Sequence, residues 1–314
     1  MAAIALSLIG CAAAPVLWTA APANPTPYPS SLLVASPPPT EPPTTDDAGN
    51  PILVGAGDIA RCDGPGDEQT ADLLKILPGI VFTLGDNAYE SGSPQDLQDC
   101  YAPTWGQLLD RTEFVVMGNH DLRTDNGQPN KDYFGSRIVR DGVTWYSQNV
   151  ATWHVVVLDA DCGLISGGCG PGSPELTWLQ SDLAANRQPC TLAMWHQPLF
   201  SSGSHGYDPL VKPFWDALYG AGAELVLNGH DHDYERFAPQ DPSGTVDEAR
   251  GMTEIVVGTG GGVPRGFAKP VANSLSRADH LYGVISITLL PDGWTTRFVS
   301  PDSLFADSSS GTCH

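Results

Sequence analysis

Ile80-Val81-Phe82-Thr83-Leu84-Gly85-Asp86-Asn87-Ala88-Tyr89 sets the architecture of the chain. Its first five residues, four of them apolar, read as a strand buried on both faces, and Gly85 ends it. A carboxylate, an amide and a phenol follow at once. The layout recurs at four other places. Ile52–Ala56 precedes Gly57-Asp58-Ile59-Ala60, and Glu113–Met117 precedes Gly118-Asn119-His120-Asp121. Cys190–Trp195 runs into His196, and Leu225-Val226-Leu227 leads to Gly229-His230-Asp231-His232. Loops at the strand ends of a rigid sheet can converge on one point. Oxygen and nitrogen donors in that number suit hard or borderline cations.

On either side of this stretch, strands alternate with helices. The pattern predicts helices over residues 68–77, 94–109, 174–186 and 210–219, the third opened by Pro174 at the position proline favours. Residues 143–148 and 153–158 read as an antiparallel pair with a turn at Tyr146-Ser147-Gln148-Asn149. Residues 254–257, 283–289 and 294–299 read as further strands, with Pro291-Asp292-Gly293 as a turn. Apolar strands separated by helices imply parallel sheet covered on both faces, and the antiparallel C-terminal part makes the whole mixed. The fold class is α/β with α+β character. Gly258-Thr259-Gly260-Gly261-Gly262 lacks the Lys of a phosphate loop and reads as a close backbone approach at the site rim.

Composition narrows the partners. A net charge of −21 and scattered Lys and Arg exclude the basic patches that duplex nucleic acid or an anionic membrane surface requires. Residues 2–23 are nearly all apolar and read as a leader or anchor, a possible membrane tether. Leu8-Ile9-Gly10-Cys11 resembles a lipoprotein signal, and Ala21-Pro22-Ala23 offers a competing cleavage pattern. Residues 24–50, with Pro37-Pro38-Pro39 and Pro42-Pro43, read as a linker, which leaves 51–314 as the catalytic domain. Six cysteines remain beside Cys11, an even number that fits three disulfides in an oxidising compartment and hence a secreted or envelope-anchored protein. Six allow 15 pairings. The short Cys162–Cys169 loop is one expected pair and Cys62 with Cys100 a second, leaving Cys190 with Cys313. Oligomeric state is not legible.

The donor inventory fits phosphoester hydrolysis, in which two cations about 3.5–4 Å apart clamp the phosphate and activate a hydroxide. One carboxylate should bridge them, and Asp86 is the natural bridge. In order and spacing the five motifs resemble the calcineurin-like metallophosphoesterase superfamily, and Gly85-Asp86-Asn87-Ala88-Tyr89 resembles its purple acid phosphatase branch. Most of that superfamily carries a His two residues after the first Asp; here Asp58 is followed by Ile59 and Ala60, and Tyr89 supplies a phenol instead. The resemblance spans residues 52–299 and implies two packed mixed sheets flanked by helices, with a dinuclear site on strand-end loops. It implies Fe(III) on Asp58, Asp86, Tyr89 and His232, and a divalent Fe, Zn or Mn on Asp86, Asn119, His196 and His230. His120 and His205 are implied to contact phosphate and leaving group, with Asp121 orienting His120. Ala60 and Ala193 stand where the family usually has Gly and Val, but neither is a ligand position.

Taken one at a time, these Asp, Asn and His residues suit ordinary turns. Five such motifs in order make a convergent cluster the better reading. Rival functions are phosphodiester or nucleotide hydrolysis on the same scaffold, and a non-catalytic metal-binding surface protein. His154, His280 and His314 are assigned no metal role, and Arg236 is either a salt bridge behind His232 or a surface residue.

Overall fold

The computed structural model describes residues 42–314. The leader at 1–23, with Cys11, and residues 24–41 of the linker lie outside these. Residues 43–50, which composition assigns to the linker, are tied to the first strand and its neighbour. Ile52 N donates to the Thr44 carbonyl and Gly79 N to that of Pro43, each at 2.9 Å. Asp46 Oδ1 accepts from the backbone of Ala48 and Asn50 and closes the turn between them.

Two mixed sheets form the scaffold. In the first, β1 (Ile52–Ala56), β2 (Ile80–Leu84) and β3 (Thr112–Val116) run parallel. β11 (Val284–Leu290), β12 (Gly293–Val299) and β13 (Ser308–Thr312) extend that sheet antiparallel from β1. The second comprises β4 (Tyr146–Val150), β5 (Trp153–Val157), β6 (Cys190–Met194), β7 (Leu225–Asn228), β8 (Tyr234–Phe237), β9 (Thr253–Val257) and β10 (Ser274–Ala278). Their order across it is β10-β8-β9-β7-β6-β5-β4. Within it β5, β6, β7 and β9 run parallel.

Alternation along β5 shows why both faces must be apolar. Val155 and Val157 join the core that contains Leu53, Val81 and Phe82 of the first sheet. Val156 and Leu158 face the other way, into a cluster with Leu176 and Leu179 of α4 (Pro174–Ala185) and Phe214, Trp215 and Leu218 of α5 (Lys212–Ala221). α1 (Gly66–Ile76) adds Ala71 and Leu74 to the first core. Period two in the strands and period 3.6 in the helices produce these layers.

Four local expectations change. The chain reverses at Ala151-Thr152 rather than at Tyr146–Asn149, because Asn149 and Val150 still pair with His154 and Trp153. The helix expected over 94–109 is broken into α2 (Pro94–Asp96) and two further helical segments, Leu97–Tyr101 and Trp105–Arg111. Pro103 between the last two has no N–H to continue the ladder. The strand at the start of the C-terminal stretch, β9, lies parallel to β7, so the wholly antiparallel part of that stretch is β11, β12 and β13 in the other sheet. α3 (Gln128–Phe134), β8, β10 and β13 were not expected. β10 and β13 carry mostly polar side chains and lie at sheet edges, where little apolar patterning is needed.

The three disulfides are Cys62–Cys100, Cys162–Cys169 and Cys190–Cys313, with Cα separations of 4.9, 5.1 and 5.4 Å. The first anchors the loop after β1 to the helical segment that carries Cys100. Nearby, Asp67 in the first turn of α1 is buried; its Oδ2 accepts from Thr104 Oγ1 at 3.0 Å while Oδ1 has no partner. Burial, reinforced by Glu68, raises its pKa to about 7. An acid whose folded pKa is raised favours folding below its unfolded pKa and loses that contribution as pH rises through about 7. Asp67→Asn should therefore raise the unfolding temperature at pH 8 by more than it does at pH 5. A thermal scan at both pH values checks this; destabilisation at pH 8 contradicts it.

Candidate metal centre

All five motif loops leave the ends of parallel strands. The loops after β1 and β2 stay paired beyond those strands: Asp58 N donates to Gly85 O, and Ile59 N to Asp86 O, each at 2.9 Å. Gly57 N donates to Val257 O at 2.8 Å, and Gly260 N returns a bond of 2.8 Å to Gly57 O, so the loop after β9 locks the two sheets together here. Three of the expected ligands hold left-handed backbone: Asp58 (φ 59°), Asp86 (φ 50°) and His230 (φ 72°). Such geometry costs of order 1–3 kcal/mol per residue and survives only where the surroundings enforce it.

Glycine is required where these loops pack. A Cβ at Gly118 would come within 2.4 Å of Asp86 Oδ1, and one at Gly85 within 2.6 Å of His196 Nδ1. The backbone after β3 thereby comes close to Asp86, which brings Asn119 to the same region. At Gly258, whose Cβ would lie 2.0 Å from the Asp231 carbonyl, the close approach read from the glycine run is confirmed.

The donors gather in two groups that share Asp86. Tyr89 Oη lies 2.8 Å from Asp58 Oδ1, 3.1 Å from Asp86 Oδ2 and 3.0 Å from His232 Nε2. His196 Nε2 lies 3.4 Å from the same Asp86 Oδ2 and 3.2 Å from His230 Nδ1. Asp58, Asp86 and His196 each offer a ligand atom within 4.8 Å of the others. The remaining carboxylate oxygens are engaged from behind: Asp86 Oδ1 accepts from His120 N at 2.8 Å, and Asp58 Oδ2 from His230 N at 2.7 Å. His196 and His232 each direct Nδ1 at a backbone carbonyl, Leu84 O and Val263 O, at 2.7 Å. That contact fixes the tautomer and leaves Nε2 facing the cluster, as a metal-ligating His requires.

Electrostatics agree with a cation site. Burial works against charge on Asp58, but His232 outweighs it and lowers the pKa. Burial likewise opposes charge on Asp86, and His196 with the His120 N–H outweighs it, holding Asp86 well below the usual carboxylate range. Burial acts to lower His196, yet Asp86 and then Asp58 push it up to about 10. His230 is forced down to about 3 by burial, His196 and His205. Burial, Asp58 and Asp86 together raise Tyr89 well above an ordinary phenol. Asn119 Oδ1 is buried with no hydrogen-bond partner, an acceptor of the kind a cation satisfies. These donors, two carboxylates, a phenol, an amide oxygen and three imidazoles, fit a pair of hard or borderline cations.

The two remaining histidines flank the cluster. The His120 ring packs edge-on to Tyr89 at 4.6 Å, and Nε2 lies 3.8 Å from Asp86 Oδ2. The His205 ring lies over His230 at 4.2 Å. Asp121 does not orient His120. It accepts from Asn87 N and Gly118 N at 3.0 Å, and from Asn87 Nδ2 at 2.8 Å, and so clamps the two loops that carry Asp86 and Asn119. Burial, with help from Asp86, raises its pKa to about 7. The carboxylate that orients a histidine is Asp231, which meets His205 Nδ1 at 3.1 Å and also accepts from His205 N and Gly206 N. Its position between two candidate ligand histidines is the sequence signal that could have suggested it.

Arg236 pairs with Asp307 at 2.6 Å and so meets no metal-centre carboxylate. His154 is held by Asn149 and Asp182, away from the ligands.

The sequence profile described as calcineurin-like phosphoesterase matches residues 53–234, more than half of the chain and every motif above. The chain belongs to that family. Among curated relatives of this calcineurin-like phosphoesterase, purple acid phosphatase 15 of Arabidopsis thaliana is 25% identical over 235 residues, covering 62% of this chain and 42% of that one. Purple acid phosphatase 21 of the same plant is 28% identical over 247 residues, covering 68% and 52%. The chain thus spans about half the length of these relatives. In fold it is similar to purple acid phosphatase PPD1 from yellow lupin (Lupinus luteus), with a TM-score of 0.64 at 17% identity over 84% of this chain and 55% of that one. It is similar also to GAP50, the anchor in the inner membrane complex of Plasmodium, with a TM-score of 0.62 at 17% identity over 84% and 88%. Both likenesses extend the two-sheet sandwich beyond the matched profile.

Proposed function

We propose that this calcineurin-like phosphoesterase is an exported, purple acid phosphatase-like enzyme that hydrolyses phosphate monoesters at a pair of cations. The observation that carries the reading is Tyr89 Oη, packed within 3.1 Å of Asp58, Asp86 and His232. A phenolate in that position suits a trivalent iron. The proposed first ion takes Asp58, Asp86, Tyr89 and His232; the second, a divalent Fe, Zn or Mn, takes Asp86, Asn119, His196 and His230. When bound, such a pair neutralises phosphate charge and acidifies water near neutral pH.

The protein's own groups do the rest. Asp86 joins the two halves through one oxygen, while Leu84 O and Val263 O hold the rings of His196 and His232. His120 and His205 stand on two sides as hydrogen-bond partners for phosphate and leaving oxygen, and Asp231 fixes the His205 ring. Three disulfides fit an oxidising compartment and support export.

An assay of the metal-loaded protein with an aryl phosphate and the matching diester tests the reading. Faster monoester turnover is expected; a diester preference moves the protein to the phosphodiesterase alternative, and inactivity with two ions bound moves it to a binding role. His205→Ala should lower monoester turnover by about 10²–10⁴-fold with metal content unchanged. Unaltered turnover removes His205 from the reaction.

A further inference from the structure

Between Met194 and Pro209 the chain has no helix or strand, so buried N–H groups there need other acceptors. His205 lies in this segment. Fully buried carboxyl groups of Asp231, Glu235 and Glu254, all from outside it, supply the acceptors. Leu199 N donates to Glu254 Oε1 at 3.0 Å, and Phe200 N to Oε2 at 3.2 Å. His205 N and Gly206 N donate to Asp231. Between these two grips, Ser202 N donates to Glu235 Oε2 at 2.7 Å and Ser202 Oγ to Oε1 at 2.6 Å.

Ser202 is also the crossing point to a second rim segment. Its Oγ accepts from Val271 N at 2.9 Å, and its carbonyl accepts from Ala268 N at 3.0 Å. Upstream in that segment, the Val263 carbonyl meets His232 Nδ1 at 2.7 Å, and Arg265 N donates to His232 O at 3.1 Å. The segment therefore touches a candidate ligand at one end and Ser202 at the other. Glu235 lies on β8 between Tyr234 and Arg236, both of which bond Asp307 on the opposite face. Both hydrogen bonds of Glu235 go to Ser202, and among the described residues no Lys, Arg or His lies at ion-pair distance from it. A carboxyl group buried without a cation is a poor source of fold stability, which points to geometry as its role. A grip through two oxygens on one residue fixes both the position and the rotation of that residue.

We propose that Glu235, acting through Ser202, is a positioning residue for the reaction. It sets the loop that carries His205 against the segment that holds His232, and so fixes where the His205 ring stands over the cluster. The proposal rests on the phosphoesterase reading and adds a residue that touches neither substrate nor ion. Asp231 fixes the rotation of the His205 ring, whereas Glu235 fixes the placement of the loop beneath it. Misplacing a catalytic group by about 1 Å from a distant position can cost roughly 10²-fold in rate.

The test is a pair of double-mutant cycles on metal-loaded protein. Glu235→Ala and Ser202→Ala are each made in the wild type and in His205→Ala. Two readouts are taken on the same preparations: kcat/KM for an aryl phosphate and the calorimetric Kd of orthophosphate. In the wild-type background Glu235→Ala should lower kcat/KM by about 10²-fold, and Ser202→Ala by about tenfold, with metal content unchanged. In the His205→Ala background each should change it by no more than about threefold, because residues that act as a unit are not additive. Orthophosphate affinity should show coupling of the same sign. Equal losses in both backgrounds, whether through metal or through fold, would overturn the proposal, as would an unaltered rate in the wild-type background. Should Glu235→Ala fail to fold, the Ser202→Ala cycle decides by the same criterion. If the wild type hydrolyses no ester, the phosphoesterase reading fails by itself, and the orthophosphate cycle decides: coupling to His205 supports the positioning role and additivity overturns it.

Discussion

Asp86→Asn should lower turnover of a phosphate monoester by roughly a thousandfold or more, because charge stabilisation worth several kcal/mol depends on both cations. Metal content should fall from about two ions per chain to about one or fewer. The reason lies in a single atom. Asp86 Oδ2 is 3.1 Å from Tyr89 Oη and 3.4 Å from His196 Nε2, so it belongs to both donor groups, while Oδ1 is taken by the His120 N–H. Asparagine keeps the volume but presents one uncharged oxygen. If that oxygen serves His120, an amide N–H₂ faces the ligands and repels a cation. Circular dichroism should remain that of the wild type. Elemental analysis and a monoester assay of the variant check both halves, and a variant with wild-type rate and metal content removes Asp86 from the shared position.

Tyr89→Phe should abolish a visible charge-transfer band that the oxidised wild type shows, turning a violet protein colourless. The substitution retains the ring, which packs edge-on to His120 at 4.6 Å and to His232 at 5.8 Å, and removes only the oxygen. In the metal-free protein, burial, Asp58 and Asp86 keep that phenol protonated, donating to Asp58 Oδ1 at 2.8 Å. Displacing its proton takes a strong Lewis acid, which is why the proposed assignment puts a trivalent rather than a divalent ion at Tyr89. A visible spectrum of both proteins after iron analysis decides the point. An iron-replete wild type without the band, or a violet Phe variant, contradicts the assignment.

The sequence made the first half of the site legible because its donors lie within a few residues of buried strands. Asp58, Asp86 and Tyr89 follow β1 and β2, whose apolar runs set their exit points, and parallel pairing aligns those exits. His196 and His230 follow β6 and β7 in the same way. The residues that escaped are held by contacts distant in sequence. Arg265 reaches His205 across sixty positions from an irregular segment, and no spacing or period marks it. Asp121 was legible as important but given the wrong neighbour: adjacency suggested His120, whereas the backbone N–H groups of Asn87 and Gly118 were the closer donors. Turn chemistry misled at Tyr146–Asn149, where polar residues continue a strand because the cross-strand partners His154 and Trp153 are in register. Polar edge strands such as β13 carry no apolar alternation to read.

Anomalous diffraction from crystals of the purified protein, collected at the absorption edges of Fe, Mn and Zn, is the most direct measurement. Two peaks about 3.5–4 Å apart should flank Asp86 Oδ2. One should lie against Tyr89, Asp58 and His232, and the other against His196, His230 and Asn119. An active enzyme with one peak, or with two peaks that do not share Asp86, would contradict the account.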